Sequence, residues 1–310
     1  MEWIASNLNR LDSRTLGIVS ILFAVFLLSL SDAFVKITGD RFGLGQIVFL
    51  RSLVAGAVIA AAICTLTHPA NLLPRRPAWV WARSLCLTGV WFCYYAALPS
   101  MSLPLAAACY YSSSAWMAVM SHFLLREKIS RQQWIAVLFT LAGVALAVSP
   151  EVGTLTLVTL LPLLAALFYA IAAILTRSRC QSEAPMVLAW NLNVTLVISS
   201  GAVLLGIAQF MPDEQDAFAL AVWQPLMPED WFVFAVLGVF LAIVATAVAQ
   251  AYRLAPSPTV GVFDTTYLLF AALWSVILIG ELPTARETGG MVLVAAGAFL
   301  MSVKMHNTEQ

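Results

Sequence analysis

Three charged residues stand inside long apolar runs: Asp32, Arg51 and Asp264. A charge held within a bilayer costs several kcal/mol and turns toward a cavity or a partner. At 1.5 Å per helical residue, Asp32 lies about 10 Å from the helix end at Gly39, and Arg51 about 12 Å in from Gly43. Similar depth on consecutive helices pairs Asp32 with Arg51, with Lys36, four residues on, competing for the same carboxylate. Two readings of the pair stay open, a structural ion pair and a coupling or carboxylate-recognition site. Asp264, about 12 Å past Pro256, has no basic residue in its own run. It is expected either to meet a substrate ammonium group or coupling proton, or to be hydrogen-bonded by Thr265, Tyr267 or a neighbouring helix.

Aromatic and small polar residues recur around these charges at helical spacing. Trp91, Tyr94, Tyr95 and Leu98 share one face, as do Tyr110, Ser113, Ser114 and Met117. Asp264, Tyr267, Leu268 and Ala271 share another, and Trp190 and Asn193 a fourth beside Asn191. Rings with an apolar body and a polar tip suit an amphipathic small ligand. The expected binding set is therefore Trp91, Tyr95, Tyr110, Ser113, Met117, Trp190, Asn193, Asp264 and Tyr267. The competing expectation is an interfacial belt, where Trp and Tyr also gather. His122, beside Arg126 near a helix end, reads as a packing residue.

The elements that position these groups follow from composition. Of 310 residues, 61% are hydrophobic and 10% charged, with net charge zero. Soluble domains carry about 25% charged residues, so a soluble enzyme, a nucleic-acid-binding domain and a disordered chain are excluded. A spanning helix needs about 20 apolar residues. The runs between polar breaks predict ten spans, near 15–38, 43–67, 79–98, 102–125, 132–149, 155–176, 185–210, 231–253, 256–280 and 287–304. With the N-terminus inside, twelve Lys or Arg fall on the cytoplasmic side and only Lys36, Arg41 and Arg286 opposite, so both termini are expected in the cytoplasm. Pro162 should kink the sixth span, while Pro104 and Pro258 near helix starts should be tolerated. The five cysteines form no CxxC pair, and neither a metal site nor a disulfide framework is expected.

A shift of 154 residues superimposes parts of the two halves: Pro104 on Pro258, Ser121 on Ser275, Glu127 on Glu281, Gly143 on Gly297. Five spans per half is odd, so the second half (154–310) should be inverted relative to the first (1–153), a recurrent build of secondary transporters with a midplane site. Phe49-Leu50-Arg51, Arg126-Glu127-Lys128-Ile129-Ser130 with Gln133 and Gly143, and Gly280-Glu281-Leu282-Pro283-Thr284 with Gly290 and Gly297 resemble the drug/metabolite transporter superfamily, EamA branch. The likeness covers nearly the whole chain, departing where Arg126 stands for the usual glycine before the glutamate.

That resemblance implies an all-α membrane protein of ten transmembrane helices, two inverted five-helix repeats around a central cavity. It implies alternating access and export of small metabolites, foremost amino acids including aromatic ones, across a bacterial inner membrane. Multidrug efflux of lipophilic cations is the runner-up. Without a Walker A pattern, HExxH or GxSxG, neither direct ATP drive nor enzyme activity is expected, and no cofactor. The expected partners are a small-molecule substrate and the lipid bilayer, with no nucleic acid. Stripes of small residues (Ser52, Gly56 and Ala60; Ala136, Gly143 and Ala147; Gly290 and Gly297) are expected to pack within a monomer rather than mark a dimer face.

Overall fold

The computed structural model describes residues 2–66, 72–126, 129–148, 157–210, 218–255 and 257–302. Glu127, Lys128, His68, Pro256, Lys304 and the acidic residues of 211–217 lie outside them. The regular elements among the described residues are all helices, without a strand. The elements are α1 (Glu2–Thr38), α2 (Leu44–Leu66), α3 (Pro77–Ala97), α4 (Leu103–Tyr110), α5 (Ser113–Leu125), α6 (Arg131–Val148), α7 (Leu161–Arg179), α8 (Pro185–Phe210), α9 (Pro228–Leu254), α10 (Ser257–Asp264), α11 (Tyr267–Trp274) and α12 (Ala285–Ser302). Among the described residues, seven stretches are long and apolar enough to cross a bilayer. The third, fourth and tenth expected spans fall outside that set. The third is rich in Trp and Tyr and holds Arg83, the fourth carries Tyr110, Tyr111, Ser112–Ser114, Ser121 and His122, and the helix of the tenth, α12, opens with Arg286 and Glu287.

Two expected continuous spans are interrupted. The run 102–125 is α4 and α5, parted at Tyr111–Ser112, and 256–280 is α10 and α11, parted at Thr265–Thr266 and followed by a π-helical turn over Ser275–Ile279. Hydroxyl groups stand at both breaks, where Ser and Thr side chains bond helical carbonyls. Thr265 Oγ1 donates to Val262 O and Thr266 Oγ1 to Phe263 O, each at 2.6 Å, and Ser114 Oγ to Tyr111 O at 3.1 Å. Apolar periodicity continues straight through such a site, which is why the runs read as single helices. Pro162 also departs from expectation. A short 3-10 turn, Leu157–Leu160, precedes it, so it stands in the first turn of α7, where no N–H is needed, and kinks nothing.

The shift of 154 residues recurs in the backbone. It carries α4 onto α10 and α6 onto α12, end for end. Arg126, where the first turn departs from the usual glycine, takes the left-handed conformation at φ 54°, as its counterpart Gly280 does at φ 78°. Reciprocal capping follows at equivalent places. Ser130 and Gln133 cap each other's N–H at 2.9 and 3.2 Å, and Thr284 and Glu287 at 2.7 and 3.2 Å. The resemblance thus rests on residues that reverse the chain, start the next helix and let that helix approach its neighbour closely.

The close approach is a seam between α6 and α12. A Cβ on Gly143 would stand 2.7 Å from Gly290 O, one on Gly290 2.6 Å from Gly143 O, and one on Gly297 against the Thr140 hydroxyl. The expected packing of these small residues within one molecule is observed.

Residues 36–46, 101–102, 218–230 and 281–287 gather at one end, the loop end, held by polar contacts. Lys36 Nζ meets Glu281 at 2.7 Å and Met101 O at 2.9 Å. Arg41 grips Asp230 with two bonds of 2.8 and 2.9 Å, and Ser102 donates to Glu287.

Candidate functional site

Between α1, α3, α4, α5 and α7–α12 lies a cavity of about 500 Å³. It runs from Asp32 and Tyr94, toward the loop end, to Ala298 and Met301 in the last described turn of α12, at the opposite end. Both helix breaks open onto it, through Tyr111 of the first and Thr265 of the second.

The wall is built of phenols. Tyr94, Tyr110, Tyr111, Tyr169 and Tyr267, five of the chain's seven tyrosines, line it together with Trp91. Their rings touch in series: Tyr94–Tyr110 and Tyr110–Tyr169 at 5.5 Å between centroids, and Tyr111–Tyr267 at 5.6 Å. Such contacts hold rings in place while leaving faces and hydroxyls to a ligand. Asp32 and Asp264 are the charged residues of the wall, and no Lys, Arg or His among the described residues lines it.

The expected residues divide accordingly. Trp91, Tyr110, Ser113 and Met117 line the cavity, as do Asp32, Asp264 and Tyr267. Tyr95 does not. It is fully buried behind the wall, where its hydroxyl donates to Asp32 Oδ1 at 2.8 Å and accepts from Arg51 Nη1. Trp190 and Asn193 lie off the cavity, beside Gly56 of α2, where an added Cβ would stand 3.5 Å from each. Helical spacing identifies the shared face of α8 but not which helix it meets; the cavity takes its neighbour Leu192 instead.

The direct Asp32–Arg51 ion pair is absent too, with Tyr95 standing between the charges. Asp32 accepts from Tyr95 and, at 2.6 Å, from Tyr267, which is itself 3.1 Å from Tyr94. Lys36 does not compete for Asp32, since Glu281 and Met101 hold it. For Asp264, Tyr111 takes the backbone carbonyl at 3.0 Å, leaving the residue on the wall without a basic neighbour there. The His122 ring packs on Phe123 and Trp134, away from the cavity.

Nothing in the hydropathy pattern singles out Tyr111 or Tyr169. Tyr169 stands alone among apolar neighbours with no stripe to mark it, and Tyr111 lies off the face that Tyr110 shares with Ser113 and Ser114. It stands in the break itself and lines the cavity. The available signal is the shift of 154 residues, which pairs Tyr111 with Thr265 at the second break.

A family model described as the EamA-like transporter family matches residues 15–149 and again 156–303. The chain belongs to that family. It is a multi-pass membrane transporter of small molecules and not an enzyme. Over 288 residues, 92% of either chain, it is 24% identical to a protein of Vibrio cholerae serotype O1 named a riboflavin transporter. A solved crystal structure superposes with a TM-score of 0.62 at 19% identity, over 93% of this chain and 96% of the other. That similarity shows the fold this EamA-like transporter shares.

Proposed function

We propose that this EamA-like transporter is a secondary carrier for a planar, hydrogen-bonding aromatic solute, neutral or cationic and of flavin-like size. Its frame is ten spans, with 1–153 and 154–310 as inverted repeats, in a bacterial inner membrane with both termini cytoplasmic. The cavity is exposed to the two sides in turn, and the solute is exported. The observation that carries the substrate reading is the wall: five phenols and an indole around about 500 Å³, two carboxylates, and no lining cation among the described residues. That volume lies in the range that encloses a drug-sized ligand. Flat rings stack between the aromatic faces, and the phenolic hydroxyls serve ring carbonyls and N–H groups. The riboflavin transporter named among the relatives supports the same class.

An amino acid fits the wall less well, because its ammonium has Asp264 but its carboxylate finds no counter-charge. Lipophilic cations are favoured as a second reading by those same two acids. The test is counterflow in proteoliposomes with labelled riboflavin, tryptophan and a quaternary aromatic cation. Saturable riboflavin exchange, inhibited weakly by tryptophan, is expected. Exchange of tryptophan in preference to both others would overturn the substrate class, and unsaturable flux would overturn the carrier.

A further inference from the structure

Arg51 is buried completely and yet underused. Of its nitrogens, Nη1 donates to Tyr95, while Nε and Nη2 have no hydrogen-bond partner. Its guanidinium carbon lies 4.4 Å from the centroid of the Trp91 ring and 5.0 Å from that of Tyr95. Stacking on two rings compensates part of the lost hydration, but vacant N–H groups in a closed interior remain a cost. Asp32, one hydroxyl away, spends both oxygens on phenols rather than on this cation.

The origin of each partner separates what is fixed from what can leave. Asp32, Arg51 and Tyr95 belong to α1, α2 and α3. Tyr267 comes from α11, the half-helix that follows the break at Thr265–Thr266. α11 packs on α1, so an opening at the loop end that parts these two helices would remove the Tyr267 hydrogen bond from Asp32. A carboxylate stripped of one partner in low dielectric needs another. Lys36 cannot serve while Glu281 and Met101 hold it.

The geometry points to Arg51 as a positioning residue with two settings: its free Nε and Nη2 are a reserve counter-charge that Asp32 takes up directly when Tyr267 withdraws. In the present setting Tyr95 relays between the two charges. In the other, the planar fork of Arg51 meets the carboxylate without an intermediary. The orphaned nitrogens are then the unused half of a two-state contact. This inference rests on the carrier reading above, since it requires a second state of the cavity.

The test reads conformation without any solute. Met101→Cys, at a residue 8% exposed at the loop end, and Met117→Cys, on the cavity wall, serve as reporters in separate full-length proteins in lipid nanodiscs. Labelling by a membrane-impermeant maleimide is followed site by site by peptide mass spectrometry, so the native cysteines stay. Tyr267→Phe removes one hydrogen bond to a charged group and should speed labelling at position 101 about tenfold. Adding Arg51→Gln to Tyr267→Phe should return that rate to its starting value, and adding Arg51→Lys should return it only in part, because a point charge replaces the fork. The Lys variant also serves if the Gln variant does not fold. Tyr267→Phe without effect at position 101, or an Arg51 substitution that fails to reverse it, would overturn the proposal. Intact saturable flux with unchanged labelling sinks this inference alone, whereas absent flux with the expected labelling sinks the carrier reading alone.

Discussion

Trp91 lines the cavity and also lies 4.4 Å beneath the Arg51 guanidinium, so it stands between the cavity and the buried cation. Removing it takes away a stacking surface and uncovers the guanidinium together. Trp91→Ala should raise the half-saturating solute concentration in proteoliposome flux by roughly two- to tenfold, the usual worth of an aromatic pair. Trp190→Phe, on the α2 contact at Gly56, should leave that value unchanged. This contrast marks how far single residues can be read from sequence. Asp32, Arg51 and Asp264 are conspicuous because charge in an apolar run is costly wherever it ends up. Depth along a helix follows from counting residues, and it puts Asp32 and Arg51 at one level. Which group stands between them does not follow from counting, and a tyrosine from a third helix takes that place. Trp190 and Asn193 miss the cavity for a related reason: a period of 3.6 identifies a face, while its neighbour depends on how helices cross.

Whole elements are legible as helices, and the departures sit where side chains interfere with the backbone. The breaks at Tyr111–Ser112 and Thr265–Thr266 carry hydroxyls that bond back to carbonyls three residues earlier, polar detail invisible to hydropathy. Pro162 reads as helix interior because the apolar run starts before the helix does, whereas α7 begins at Leu161. Turns are better determined, since the caps and the left-handed residue are local. Arg126 bears the cost of a side chain at φ 54°, about 1–2 kcal/mol for an L-residue, where its counterpart is glycine. Arg126→Gly should therefore stabilise the protein by about 1 kcal/mol after the greater freedom of glycine in the unfolded chain is counted. A thermal unfolding midpoint in detergent higher by about 2 °C would register it, and a fall would show that the arginine head group matters more than its backbone.

Across the whole molecule the cavity is asymmetric. Beyond its Asp32 end stand Lys36–Glu281, Arg41–Asp230 and Ser102–Glu287, whereas its wall at the other end continues into the last described turn of α12. Thiols at positions 36 and 281, introduced as Lys36→Cys with Glu281→Cys and joined by a short bifunctional reagent, should abolish flux while equilibrium binding of solute persists. Thiol-cleavable versions of the reagent should restore flux on reduction. Flux that survives complete crosslinking would show that this end need not part.

The seam between α6 and α12 brings backbone against backbone at Gly143 and Gly290, with only small side-chain atoms such as the Ala147 Cβ between. Two rods nested so closely behave as a single post, because sliding would drive one chain's carbonyls into the other. Any travel must then be absorbed by elbows, and the molecule has two, each where a half-helix gives out beside the cavity wall. The glycine seam and the two breaks would accordingly divide the labour, the former holding still and the latter bending.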